Sequence, residues 1–341
     1  VRETAASTLN DLIGVYWMNR EGDKAQAAQL ESHDLWRELG NLPMLADNLA
    51  RSTQIHLAAG DYAAMIAASD EAYVISQSIG NLWGQSNSRI GVGLAYWDRG
   101  DYGKAIAVQE EAIALAERVG HTIALTFIPS MLALAYADAG GIARGFELAN
   151  IALAHARAKV ADWSALPLIT LAKLHWLNGD LPATEATYRE AVHNLVEDNL
   201  RQINYALLLW LSQIEAELAL AHGDHARALT LAEKLIDEAG RAPYRPFLPD
   251  ALYFKSRVLC AGSQVESAGK ILEEARLEAE AIGSRRILWP ILIALSEIES
   301  DSKTASNFRQ QVRQIVDYIA KGLLASQHAS FLKLPNVRKV L

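Results

Sequence analysis

The stretch Gly93-Leu94-Ala95-Tyr96-Trp97-Asp98-Arg99-Gly100-Asp101-Tyr102-Gly103-Lys104-Ala105-Ile106 contains a helix end, a turn and a helix start. Upstream of the turn, Ile90, Gly93, Leu94 and Trp97 recur at helical spacing, which places them on one face of a helix A ending at Asp98-Arg99-Gly100. Downstream, Ala105, Ile106, Ala112, Ile113 and Ala116 do the same for a helix B ending at Val119-Gly120. Glycine suits the reversal because it takes positive φ at a helix C-terminus, and the aspartate behind it can cap the next helix.

The same mark recurs along the chain as Gly22-Asp23, Gly60-Asp61-Tyr62, Gly100-Asp101-Tyr102, Gly140-Gly141, Gly179-Asp180, Gly223-Asp224 and Gly262-Ser263, at spacings of 38, 40, 40, 39, 44 and 39 residues. A period of this size means a solenoid of stacked units. A second mark closes helix B at Leu39-Gly40-Asn41, Ile79-Gly80-Asn81, Val119-Gly120-His121 and Ala239-Gly240-Arg241. Pro43, Pro129, Pro167, Pro249 and Pro290 fall near the starts of A helices, where a missing N–H costs little, and Pro129 sits deeper, where it would kink its helix. β-branched residues never alternate with polar ones for long, so the fold class is all-α.

The fourteen-residue stretch quoted above closely resembles the tetratricopeptide repeat (TPR), with its small residue, its aromatic three positions later, Gly-Asp-Tyr and a contact alanine. Ala133 with Tyr136 repeats the pair; Ala172 with His175 and Ala216 with Ala219 keep it less well, and Ala72, Ala112, Ala152, Ala191 and Ala275 hold one position of helix B. The period near 40 exceeds the family's usual length of about 34. Longer helices of this kind resemble the MalT-like sensor arrays of bacterial regulators and the C-terminal arrays of signal-transduction ATPases with numerous domains. The segments Val316 to Ala320 and Ser330 to Arg338 look like the close of large ATPase- or cyclase-linked bacterial proteins. The resemblance implies a right-handed superhelical solenoid of about seven to eight TPR-like helix pairs over residues 1–300, then a capping helix and tail over 301–341. It also implies an attached ATPase or regulatory module outside this chain, an expectation that fits an opening Val-Arg-Glu-Thr without Met.

Composition narrows the functions. With 51% hydrophobic and 21% charged residues, the chain reads as folded rather than disordered. A net charge of −8 argues against a broad basic surface, so no nucleic acid is expected on this region. One cysteine, Cys260, excludes an intrachain disulfide framework and a thiolate cluster. No apolar run reaches the ~18 residues that span a bilayer, so no membrane is expected and a cytoplasmic location is.

Catalytic motifs fail one by one. Gly269-Lys270 imitates a phosphate loop, but the positions that need Gly and Ser or Thr hold Gln264 and Ile271. Gly91-Val92-Gly93 continues into Tyr96 instead of a third glycine, and no strand leads in. His222 and His225 flank a turn without an obvious ligand set, Cys260 is expected as a small buried core residue, and His175 as a core or inter-helix histidine. No catalytic residue, metal site or cofactor is expected, and the chain is not read as an enzyme.

A superhelix of helix pairs exposes a concave groove lined by A helices. Helical spacing projects Asp47, Arg51 and Gln54 inward from the second unit, Asn87, Ile90 and Trp97 from the third, and Phe127 and Ser130 from the fourth. Lys173 and Trp176 follow from the fifth, Trp210, Gln213 and Glu217 from the sixth, and Tyr253 and Arg257 from the seventh. Trp, Tyr and Arg concentrate binding energy in interfaces, yet aromatics at helical spacing also build cores, and the sequence leaves both open for each tryptophan. Trp83, Trp163 and Trp289 are expected as wedges between repeats. The carboxylate clamp of chaperone-binding relatives would need Lys and Asn where Ala50, Gln54, Ile90 and Leu94 stand, so a co-chaperone is not expected.

The function expected is a non-enzymatic sensor whose groove recognises a protein, a peptide or a small effector and biases an attached bacterial regulatory module. The alternative is a constitutive scaffold that holds an assembly together without an effector. From Ser302 onward a capping helix and tail are expected, with Phe331, Leu332 and Leu334 either folding back or left as a docking point.

Overall fold

A computed structural model describes residues 1–19, 21–196, 205–241 and 244–340, and among these every regular element is helical. Antiparallel pairs follow one another: α1 (Arg2–Met18) with α2 (Gly22–Leu39), α3 (Leu42–Ala59) with α4 (Tyr62–Ser78), and α5 (Leu82–Ser88) plus α6 (Val92–Asp98) with α7 (Tyr102–Val119). Then come α8 (Thr122–Asp138) with α9 (Ile142–Lys159), α10 (Ala165–Leu177) with α11 (Leu181–Val196), and α12 (Tyr205–Ala221) with α13 (His225–Arg241). The last pairs are α14 (Leu248–Ala261) with α15 (Val265–Ile282) and α16 (Arg285–Ile298) with α17 (Ser302–Lys321), followed by short α18 (Ala325–Phe331) and α19 (Pro335–Arg338).

Turn chemistry explains the punctuation. Nine of the described glycines, Gly60, Gly100 and Gly140 among them, take the left-handed conformation that ends a helix. The residues behind them cap the next helix: Asp61 accepts from the Ala64 N–H at 2.9 Å, Asp180 from Ala183 at 3.1 Å and Asp224 from Arg227 at 3.1 Å. Asp101, unlike these but like His121 and Ser284, makes no side-chain cap. Its carboxylate accepts the Tyr318 hydroxyl at 2.6 Å, from a helix 217 residues away.

Several expectations need correction. Gly262 has φ −85°, and Ser263 at φ 61° takes the left-handed place instead. Gly240 lies inside α13 and does not close it. Helix A of the third unit is broken into α5 and α6, so Ile90 stands in the link rather than on a helix. Gly84, Gly91, Ser86 and Ser88 weaken helix propensity there. Pro290, like Pro129, sits inside its helix. Cys260 is exposed, not part of the core.

The pairs pack through small residues. Ala72, Ala112, Ala152, Ala191 and Ala275 are all at 0% exposure, which lets helix backbones approach closely. A core of Leu, Ile and Ala then runs from α6 through α17 and includes Phe331 of α18.

The superhelix completes one turn and meets itself. Leu57 and Ala58 of α3 share a core cluster with Tyr244 and Phe247, and Tyr62 shares one with Ile282. Phe331, 1% exposed, packs edge-on to the Tyr102 ring at 6.3 Å, so the tail folds back onto the third unit. At Gly103 a Cβ would stand 2.0 Å from the Gly322 carbonyl oxygen, and only glycine admits that approach.

Candidate functional site

At the seam, the end of α6 comes against the starts of α14 and α16. Arg286 donates from Nε to Asp98 Oδ1 at 2.6 Å and from its terminal nitrogens to both oxygens of Asp250 at 3.0 and 2.7 Å. The Tyr62 hydroxyl donates to the other Asp98 oxygen. Ser284 Oγ and Arg285 Nη1 donate to the backbone carbonyls of Asp98 and Arg99 at 3.3 and 3.1 Å. The three charged side chains are largely withdrawn from water, at 16% exposure for Arg286, 7% for Asp98 and 12% for Asp250.

Burial works against the Arg286 charge, but Asp250 and Asp98 outweigh it and hold the guanidinium well above its ordinary pKa. Burial, then the Asp98 charge, pushes the Tyr62 phenol well above its usual range, so it remains a proton donor. The Arg286 guanidinium also lies 4.6 Å from the centre of the Trp97 ring, a cation–π contact. Trp97 Nε1 in turn donates to Asp138 Oδ2 at 2.8 Å. Burial raises the Asp138 pKa, opposed by Arg286, by the Trp97 hydrogen bond and by Lys173. Asp138 is thus the point where α6, α8, α10 and α16 are coupled.

Two smaller polar sets lie elsewhere on the A helices. Glu217 of α12 and Arg257 of α14 pair at 2.6 Å, with Glu217 at 6% exposure. Burial opposes the Arg257 charge, and Glu217 more than restores it. Arg51 donates to Asp47 Oδ2 at 2.8 Å, and that oxygen also accepts from Asn10 at 2.9 Å. Asn10 joins Asn48, Gln29 and Ser32 in a buried amide network between α1, α2 and α3.

The residues expected from sequence fall apart accordingly. Trp97 is tied into the seam; Glu217 and Arg257 hold each other; Arg51 is tied to Asp47. Phe127, Trp210 and Tyr253 are half-buried against the main core, and Ser130 is fully buried. Gln54 is exposed, and Asn87, Trp176 and Gln213 are half-buried. Half-buried Lys173 makes no ion pair or hydrogen bond with the described residues, and its charge is among those that oppose the rise of the Asp138 pKa. His222, His175 and Trp83 have local partners. His222 pairs with Glu185 at 2.6 Å, the His175 ring lies 4.8 Å from Phe146, and Trp83 stacks on His121 at 5.0 Å. Among the described residues no group of three or more His, Cys, Asp or Glu side chains could hold a metal ion, and no described helix is long and apolar enough to cross a membrane.

Sequence reasoning missed Tyr62, Asp98, Asp138, Asp250 and Arg286. Periodicity shows which residues share a face, and it carries no sign that residues 188 apart will touch. Asp98 and Asp138 end their A helices in register, two residues before a left-handed glycine, and that repetition of an acid was the available signal.

No family model and no curated protein matches the sequence. Solved structures match over nearly the whole chain. NprR in complex with its cognate peptide NprX superposes with a TM-score of 0.61 at 12% identity, covering 99% of this chain and 96% of that one. A Rap protein complexed with competence and sporulation factor gives 0.58 at 13% identity, covering 94% and 100%. The Rap conjugation gene regulator of plasmid pLS20, in complex with the Phr* peptide, gives 0.56 at 14% identity, covering 99% and 96%. Such low identities speak to fold alone, and the fold is that of a superhelix of tetratricopeptide-type helix pairs.

Proposed function

We propose that this chain is a peptide-binding sensor: the A-helix wall takes up a peptide, and occupancy biases the closure of the superhelix and thereby the state of an attached regulatory module. The observation that carries the proposal is Lys173, a half-buried cation that makes no ion pair or hydrogen bond with the described residues, on the helix that also carries half-buried Trp176. An acidic group of the peptide would answer the charge, and Trp176 would cover an apolar side chain. Coupling to closure has a physical route. Lys173 and Arg286 both act on Asp138, so a ligand carboxylate at Lys173 changes the field in which the seam cation sits. The three structural neighbours are each described with a bound peptide or signalling factor, which supports a peptide over a metabolite.

The scaffold alternative rests on exposed apolar residues of the B helices, Leu30, Val74, Ile151 and Leu277. They stand on different helices as single residues, which is ordinary for a soluble surface and weaker support. The test is a calorimetric screen of short peptides, acidic and neutral, against the wild type and a Lys173→Ala, Trp176→Ala double variant. Saturable binding of acidic peptides that the double variant loses, with its melting temperature kept, is expected. Equal binding by both proteins, or none by the wild type, overturns it.

A further inference from the structure

A concavity lies at the seam itself. It is a pocket of about 480 Å³ whose lining includes Gly60, Asp61, Ile282, Arg99, Arg245 and Arg285. Gly60, Asp61 and Arg99 belong to the turns of the second and third units; the other three come from the seventh and eighth. Closure therefore brings three arginines to the lining of one space, with Asp61 the one acidic residue there.

The partners of these groups are incomplete. Arg245 pairs with Glu278 at 3.1 Å while remaining 47% exposed, and Arg99 reaches Asp101 at 3.6 Å, an acid already engaged by Tyr318. Arg285 has no ion pair among the described residues; it donates to the Arg99 carbonyl and lies 4.3 Å from the Tyr318 ring centre. Asp61 is spent as the cap of α4, accepting from the Ala64 N–H. Tyr62 and Ala63 in the first turn of α4 and Arg285 at the start of α16 also line the pocket, so it lies at the positive ends of both helix dipoles.

We propose that this seam pocket binds a small phosphoryl-bearing anion of two or more negative charges, such as a diphosphate group. Three guanidinium forks match phosphoryl oxygens, and the volume falls within the range of about 300–1,000 Å³ typical of small-molecule sites, larger than one phosphate needs. Because the lining comes from both sides of the seam, the anion binds only the closed superhelix and stabilises it by mass action. Its lining contains neither Lys173 nor Trp176, and its test does not depend on peptide binding.

The experiment is a thermal melt of the intact chain titrated with inorganic pyrophosphate, with potassium chloride at matched ionic strength and with citrate. A saturable rise in melting temperature with pyrophosphate, absent with chloride and smaller with citrate, is expected. Arg245→Gln alters an exposed side chain and should keep the fold by circular dichroism, while weakening pyrophosphate about tenfold or more. Arg99→Gln should do the same, and Lys173→Ala should leave the titration unchanged. Equal shifts with chloride, or an unaltered titration in both arginine variants, overturns the site. A larger effect of citrate overturns the phosphoryl assignment.

Discussion

Arg286 and Asp98 are 188 residues apart in sequence and 2.6 Å apart in space, and their contact marks where the superhelix returns to its own third unit. The guanidinium is shared with Asp250, the neighbour on its own side. Removing one member of a buried charge set leaves the others desolvated, so Arg286→Ala should cost about 3–5 kcal/mol. Urea denaturation measures the loss. Small-angle scattering should show a larger radius of gyration, because the side chain joins the two ends of the turn.

Gly103 and Gly179 offer a comparison. A methyl group at Gly103 meets the Gly322 carbonyl oxygen at 2.0 Å, whereas at Gly179, with φ 75°, it meets nothing within 4 Å. Gly179→Ala should cost the backbone strain alone, about 1–2 kcal/mol. Gly103→Ala must displace α17 from α7 and should cost about 1–3 kcal/mol through overpacking, with hydrogen exchange accelerated in α17 and α18. For Gly179→Ala that exchange should stay unchanged.

Trp97 and Trp176 separate packing from availability. Trp97 carries the Asp138 hydrogen bond and the Arg286 contact, so Trp97→Ala should cost about 3–5 kcal/mol in chemical denaturation. Trp176 makes neither kind of bond, and Trp176→Ala should cost about 1 kcal/mol. Comparable losses would make both of them core.

Asp138 gives the pH dependence a sign. Its folded pKa is raised above the ordinary 3.8, chiefly by burial. An acid shifted upward favours the folded state when protonated; that contribution is complete below the unfolded pKa and is lost as pH rises through the folded one. Asp138→Asn keeps an acceptor for Trp97 and removes the titration. The variant should therefore gain on the wild type as pH increases from about 4. Denaturation midpoints over a pH series, taken on both proteins, check the direction.

The repeat was legible because its signal is local. Gly-Asp marks, contact alanines and helical spacing each operate within one pair, and a single sequence contains all of them. The groove register was legible in part. Cys260, expected in the core, is exposed near the end of α14, where the left-handed turn residue is Ser263 instead of Gly262. The seam was not legible, since Asp98, Asp101 and Gly103 look like ordinary turn residues until the other end of the chain arrives. Their roles depend on the accumulated rotation of several helix pairs, which no local pattern encodes.

Gly103 and Gly322 also fix how many helix pairs can stand between them. An open solenoid behaves as a row of neighbours and tolerates the gain or loss of a repeat. Here an inserted pair would carry Gly322 past Gly103 and Arg286 past Asp98, and a deleted pair would leave both short. Contacts across so long a loop raise the contact order and carry a loop-closure cost, so the first pairs should form quickly and the seam last, as the slow step of folding. The number of pairs between the two sides of the seam is therefore fixed by geometry at the point where the turn closes.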